Sequence, residues 1–234
     1  MKPVLKYRGG KLRDIPDFIA HVPQNYQRYF EPFLGGGAVF FHLEPQNAVI
    51  GDVNGRLINF YTQLRNQYPT MRKQLDNLQR EYEDNQAAYE ALRSQHPGEF
   101  CENRNEAMYY RPREQFNHPT GEYLDGTLYF FINKTAYSGM LRYNSSGEYN
   151  VPYGRYRHFN TGVITEEHSR LLQRATVLHS DYLPLFQQAG PRDFMFLDPP
   201  YDCVFNDYGN WELSDGFNED AHRRLAQDFR NLNC

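Results

Sequence analysis

No stretch of this 234-residue chain is long and apolar enough to span a bilayer, and the amino terminus carries Lys2 and Lys6 without the apolar run of a signal core. A soluble, cytoplasmic protein is therefore expected. Cysteine is scarce: Cys101, Cys203 and Cys234 form no pair at metal-binding spacing. An odd count without a signal core argues for a reducing compartment rather than a disulfide framework. The histidines are scattered, with His168 and His179 far apart and His21, His42 and His222 in separate elements, so no metal is implied. There is no nucleophile elbow, and no cysteine has the neighbours that would activate it, which leaves hydrolysis through a covalent nucleophile without a candidate. Internal repeats and low-complexity tracts are absent as well.

Positive charge is also short overall, at a net −4, but it is unevenly placed. Residues 1–65 carry +3, 66–126 carry −4, 127–164 carry +3 and 165–234 carry −6. The 127–164 segment also holds nine aromatics, from Tyr129 to Phe159. Basic residues interleaved with aromatics suit a surface that grips phosphates and stacks bases, although an aromatic hairpin packed on a core has the same composition. Asn144-Ser145-Ser146-Gly147 reads as the polar tip of a hairpin. Residues 66–126 read as helical: Leu75, Leu78, Tyr82, Tyr89 and Leu92 recur at helical spacing among charges, and Pro97-Gly98 ends the run.

Chemistry is carried by Asp198-Pro199-Pro200-Tyr201, directly after the apolar run Phe194-Met195-Phe196-Leu197. The run predicts a buried strand, and ligands of open α/β sheets collect at the carboxyl ends of such strands. Neither proline has an N–H, so the Asp198 carboxylate and the Pro199 carbonyl face outward as acceptors with no local donor to compete. Two adjacent acceptors suit an exocyclic amino group, and Tyr201 offers a ring for stacking. A proline turn capped by Asp198 fits the same four residues. Upstream, Tyr29-Phe30-Glu31-Pro32-Phe33-Leu34-Gly35-Gly36-Gly37 runs from a strand through a glycine turn into an apolar helix. A second strand, Ala48-Val49-Ile50-Gly51, ends at Asp52, where an acidic residue would take ribose hydroxyls. Gly35 and Gly37 would let the backbone approach a ligand closely. Further strand and helix signals are Ala175-Thr176-Val177-Leu178, followed by Asp181-Tyr182, the Thr165-Glu166-Glu167 helix start, and an Asn218 cap with Leu225 and Phe229 on the apolar face.

Four ordered blocks resemble the Dam-type DNA adenine methyltransferases. They are Leu5-Lys6-Tyr7-Arg8-Gly9-Gly10-Lys11, Glu31 to Gly37, the long block from Phe131 through Asn144 to Tyr156, and Asp198 to Tyr201. The first block carries Tyr7 where the family more often has Trp. The resemblance implies a Rossmann-like α/β methyltransferase domain from residues 1–65 and 165–234, a helical and hairpin target-recognition insertion over 66–164, and S-adenosylmethionine as cofactor. Tyr7, Gly10, Lys11, Glu31, Pro32, Phe33, Gly35, Gly37, Asp52, Asp181, Tyr182 and Asp198 would line its pocket. Asp198, Pro199, Pro200 and Tyr201 would hold an adenine flipped out of duplex DNA.

Lys6, Lys134, Tyr137, Ser138, Arg142, Asn144, Pro152, Arg155 and Tyr156 would contact DNA. The hairpin block is similar to that of members acting on GATC, with Arg142 matched to a guanine edge and Lys6 to the first guanine. Tyr137 and Ser138 fall where the family places an aromatic and an Asn that enter the base stack. A monomer, with a cognate restriction endonuclease as possible partner, fits this reading. The family continues beyond the Asn218 helix into further strands, so either sheet strands are missing at the carboxyl end or the fold closes differently. A DNA- or cofactor-binding remnant without turnover, or a methyltransferase of RNA or protein amines, are the alternatives.

Overall fold

Three short apolar runs, each followed by a turn and a helix, set up a parallel sheet that buries both of its faces. The computed structural model describes residues 1–201 and 217–232. Among these the strands are β1 (Tyr29–Glu31), β2 (Ala48–Asp52), β3 (Ala175–His179) and β4 (Phe194–Met195). The helices are α1 (Ile15–Phe18), α2 (Ala38–Leu43), α3 (Gly55–Asn66), α4 (Tyr68–Gln95), α5 (Arg104–Asn117), α6 (Asp125–Thr135), α7 (Glu166–Gln173), α8 (Leu183–Gln188) and α9 (Glu219–Arg230). No helix among the described residues is long and apolar enough to cross a membrane.

The sheet order is β3-β2-β1-β4, with every pairing parallel. Chain progress from β1 to β3 runs one way across the sheet, and β4 then joins the opposite side of β1. The topological switch point is thus the β1/β4 junction, where open α/β sheets form their ligand crevice. Strand alternation sends Tyr29 and Ile50 into the larger cluster with Leu57, Phe60, Tyr61 and Leu64 of α3. Phe30 and Val49 face the other way, onto Leu185 of α8. The architecture is a Rossmann-like α/β sheet, as expected.

Several local expectations are corrected. The run Phe194 to Leu197 was predicted to be a buried strand, yet it is half-buried, with only its first two residues in the ladder and a further bond from the Phe196 N–H to the Phe30 carbonyl at 2.8 Å. Among the described residues it is an edge, which leaves one side without a neighbour. In α4, Met71, Leu75, Leu78 and Tyr82 are buried, but Leu92 is 45% exposed, because the last turns extend past the body. Phe229 of α9 is likewise exposed, and Leu225 alone anchors that helix as a buried residue. Asn218 does cap α9, accepting from the Ala221 N–H at 3.0 Å. Cys203 and Cys234 lie outside the described residues.

The largest difference concerns the aromatics of 127–164. Tyr129, Phe130 and Phe131 belong to α6, where all but the two charged positions, Asp125 and Lys134, are buried, and Tyr149, Tyr153 and Phe159 are buried too. A helix that is apolar all round belongs inside a protein. This one packs between α3 and α5, in the same hydrophobic cluster as Tyr29 and Ile50 of the sheet. Most of the aromatic surplus is therefore core, and Tyr137 is the one ring of the nine left more than half exposed, at 58%.

Candidate active site

The glycine turn after β1 is shaped by Tyr7. Gly35 and Gly37 have φ of +49° and +67°, a region costly for other residues. A Cβ on Gly35 would lie 2.7 Å from the Tyr7 ring, and one on Gly36 would lie 2.8 Å from the Tyr7 Cβ. The turn thus accepts the tyrosine closely, while Gly37 is closed by Phe41, 2.9 Å from its would-be Cβ. Asp52 holds the same turn from the end of β2: one carboxylate oxygen accepts the Gly35 N–H at 2.9 Å and the other the Asn54 N–H at 2.9 Å. The Tyr61 hydroxyl donates to the Gly35 carbonyl at 3.0 Å.

Glu31 ends β1 and is buried, as is Pro32 after it. One carboxylate oxygen accepts from the Tyr29 hydroxyl at 2.7 Å and from the Phe40 N–H at 3.1 Å. Burial pushes its pKa up to about 8, against those two hydrogen bonds, and the negative fields of Asp198 and Asp52 add to the rise. Three carboxylates of the strand ends thus act on one crevice.

Across the switch point, Lys11 fixes the Asp198 loop. Its ammonium sits 2.8 Å from Asp198 Oδ2, 2.9 Å from the Tyr201 hydroxyl and 3.1 Å from the Gly9 carbonyl. Three N–H donors meet three acceptors. The ammonium is 5.0 Å from the Tyr201 ring centroid, and with the hydroxyl so much nearer this is a hydrogen bond at the ring edge, not a cation–π contact. Burial raises the Asp198 pKa and Lys11 opposes it. For Lys11, burial works downward, but hydrogen bonds to Asp198 and Tyr201 leave its pKa raised. Asp198 Oδ1 takes no partner among the described residues, and the Tyr201 ring is 56% exposed while its hydroxyl is anchored. Gly10 is exposed beside Lys11.

The far wall is less polar. Phe33 packs against Tyr182 and edge-on against Phe217 at 5.8 Å, beneath α9. Tyr182 itself is buried, with its hydroxyl on Asp228 at 2.7 Å, whereas Asp181 is exposed at the end of β3 and caps α8 through the Leu183 N–H.

On the insertion side, the hairpin forms with Asn144 as its turn residue. Asn144 Oδ1 accepts the Ser146 and Glu148 N–H groups at 3.0 and 2.9 Å, and antiparallel bridges join Tyr143 to Tyr149 and Ala136 to Tyr153. Arg142 is exposed, with Nε on Asn150 at 3.0 Å. Exposed Tyr137, Ser138, Pro152 and Arg155 cluster at the hairpin root, where the Tyr137 N–H donates to the Pro152 carbonyl at 2.9 Å. Ser138 and Arg155 both hold φ of +54°, a strained conformation for a residue with a Cβ. Lys6 places its ammonium 3.8 Å from the Tyr156 ring centroid and donates to the Lys134 carbonyl at 3.2 Å. Lys134 is pushed down to about 8 by burial and, secondarily, by Lys6.

Residues 7–233 match the family model for D12 class N6 adenine-specific DNA methyltransferases. The chain belongs to that family. It is similar to the type II methyltransferase M.CviBI of Paramecium bursaria Chlorella virus NC1A, 32% identical over 98% of this chain and 79% of the relative. It is also similar to the type II methyltransferase M.MjaIII of Methanocaldococcus jannaschii, 30% identical over 99% of this chain and 80% of the relative. The DNA adenine methylase of Haemophilus influenzae is 28% identical over 86% of this chain and 64% of its own length. The protein is an adenine-specific DNA methyltransferase.

Other residues of the methyltransferase had no sequence signal. Asn117 on α5 brackets Tyr149, accepting its N–H at 2.8 Å and donating to its carbonyl at 3.1 Å. Tyr109 donates to the Val151 carbonyl at 2.7 Å, and Tyr82 bonds the Tyr153 hydroxyl at 2.6 Å and the Tyr156 carbonyl. Helices α4 and α5 therefore form the bed of the hairpin's return strand. Arg56 of α3 lies over Phe116 at 4.1 Å and Tyr143 at 5.5 Å, bridging sheet domain and hairpin.

Proposed function

We propose that this enzyme transfers a methyl group from S-adenosylmethionine to the 6-amino group of an adenine turned out of duplex DNA, within GATC. The observation that carries the reading is the Lys11, Asp198 and Tyr201 constellation at the β1/β4 switch point. The donor carries a sulfonium, an ammonium and ribose hydroxyls, and a crevice bordered by the carboxylates of Asp52 and Asp198, with the protonated Glu31 as a further polar group, suits that cationic, hydroxyl-bearing chemistry. When bound, it supplies an already activated methyl group, so the protein has only to align and solvate.

Lys11 holds Asp198 Oδ2, which leaves Oδ1 to accept one hydrogen of the adenine amine and the Pro199 carbonyl to accept the other. Both acceptors face the point where positive charge develops on nitrogen, the place where preorganised polar groups contribute most. Tyr201, anchored through its hydroxyl, keeps a ring face for the base. Removing the base from the stack is required, since its amine is otherwise out of reach. Phe33 is positioned as an apolar wall, and Asp52 serves the donor both through its acceptor capacity and by holding the Gly35 turn. On the DNA side, Arg142 reads a guanine, while Tyr137 and the strained Ser138 stand at the base to be displaced. A cognate endonuclease as partner fits the type II names of the relatives, and the enzyme is proposed to act as a monomer.

Unmethylated plasmid incubated with the protein and S-adenosylmethionine is expected to become resistant to an endonuclease blocked by adenine methylation in GATC. Full cleavage at those sites, with methyl incorporation elsewhere, would contradict the GATC assignment alone.

A further inference from the structure

The segment carrying Lys6 and Tyr7 belongs to the donor crevice, yet a side chain 127 positions away clips it. Asn133, in the last turn of α6 and only 1% exposed, accepts the Lys6 N–H and donates to the Lys6 carbonyl, both at 2.8 Å. Its carboxamide pairs with one residue's backbone as a neighbouring strand would. Both bonds are buried in part and charge-free, so the clip is directional without being salt-sensitive.

On one side of the clip the chain enters the DNA hairpin: Ala136 begins its root, and a Cβ on Gly139 would lie 2.9 Å from Lys6 Cδ and 3.0 Å from the Asn133 carbonyl. On the other side Tyr7, the next residue after Lys6, lies against Gly35 and Gly36, and Lys11 holds Asp198. Displacement of the hairpin root on duplex binding therefore reaches the glycine turn through Lys6, whose side chain touches Lys134 and Tyr156 but whose backbone is held by the Asn133 amide. We infer that Asn133 is a positioning residue that couples DNA engagement to methyl-donor binding.

This rests on the proposed donor and substrate, and its test separates the two. The affinity of S-adenosylhomocysteine, measured by calorimetry with and without a short duplex bearing one copy of the sequence methylated in the plasmid digest, gives the coupling ratio. Wild-type protein is expected to bind it about fivefold or more tightly with duplex present. Asn133→Ala should bring the ratio towards one while S-adenosylhomocysteine still binds alone. Where alanine fails to fold, Asn133→Leu keeps about the same volume without either hydrogen bond to Lys6, and the same loss is expected. Asn117→Ala removes the equivalent clip on Tyr149, away from the crevice, and should weaken duplex binding with the ratio retained.

A wild-type ratio of one, an unchanged ratio in the Asn133 variants, or an equal collapse in Asn117→Ala would each overturn the inference. Wild-type protein that binds duplex but never S-adenosylhomocysteine would instead sink the proposed donor.

Discussion

At the scale of single residues, the crevice is governed by what burial does to carboxylates. Glu31 keeps its proton in the folded protein up to about pH 8, whereas in the unfolded chain it ionises from its ordinary value of 4.5. The folded state therefore binds the extra proton between those values, and stability declines as pH rises from 4.5 to 8 and then levels. Glu31→Gln removes that slope, which is at most about 1.4 kcal/mol per pH unit for one proton. Urea unfolding from pH 5 to 9 checks it: the variant should gain on the wild type up to pH 8 and no further, and parallel curves would refute the assignment. Asp52 differs, because both of its oxygens already hold backbone amides. Asp52→Ala is expected to weaken S-adenosylmethionine about ten- to a hundredfold and also to lower stability by about 1–3 kcal/mol, since it orphans the buried Gly35 N–H. Weakened binding with unchanged stability would show that the turn does not depend on it.

At the scale of elements, the hairpin is a surface device on a rigid bed. Its return strand hangs on tyrosine hydroxyls and one asparagine from α4 and α5, which add to its backbone pairing with the outgoing strand. Tyr82→Phe leaves the Tyr156 carbonyl and the Tyr153 hydroxyl without their partner, at a cost of about 1–3 kcal/mol. Chemical denaturation should register that loss together with weaker duplex binding, and an unaltered midpoint would mean the strand is held elsewhere. Arg142→Ala, on the exposed outgoing strand, should instead cost about 1–3 kcal/mol on GATC and relax discrimination at one base pair. Lys134→Ala should weaken all duplexes alike. A panel of single-substituted GATC duplexes separates the two, and an even loss across the panel for Arg142→Ala would reduce that residue to a backbone contact.

At the scale of the whole molecule, what the sequence disclosed was local. Apolar runs ending at Glu31, Asp52 and His179 marked β1 to β3, and glycines at φ above zero marked the turn. The crevice residues were legible because strand ends converge wherever a parallel sheet reverses its order. What escaped was relational. Tyr129 to Phe131 look identical in sequence whether they stack on bases or fill a core, and only α3 and α5 on either side of α6 decide it. Nothing in the sequence showed that the Tyr7 ring packs against Gly35, across a gap that a Cβ would close. Asn133 and Asn117 have no local signature at all, since each acts on a backbone that folding alone brings near.

The account turns on Asp198 shaping the amine of an adenine. Its most direct test is mass spectrometry of nucleosides released from unmethylated DNA after incubation with S-adenosylmethionine and either wild-type or Asp198→Ala protein. N6-methyldeoxyadenosine should accumulate with the wild type and fall on the order of a hundredfold or more with a folded Asp198→Ala variant. Methylation confined to cytosine, or wild-type yields from the variant, would contradict it.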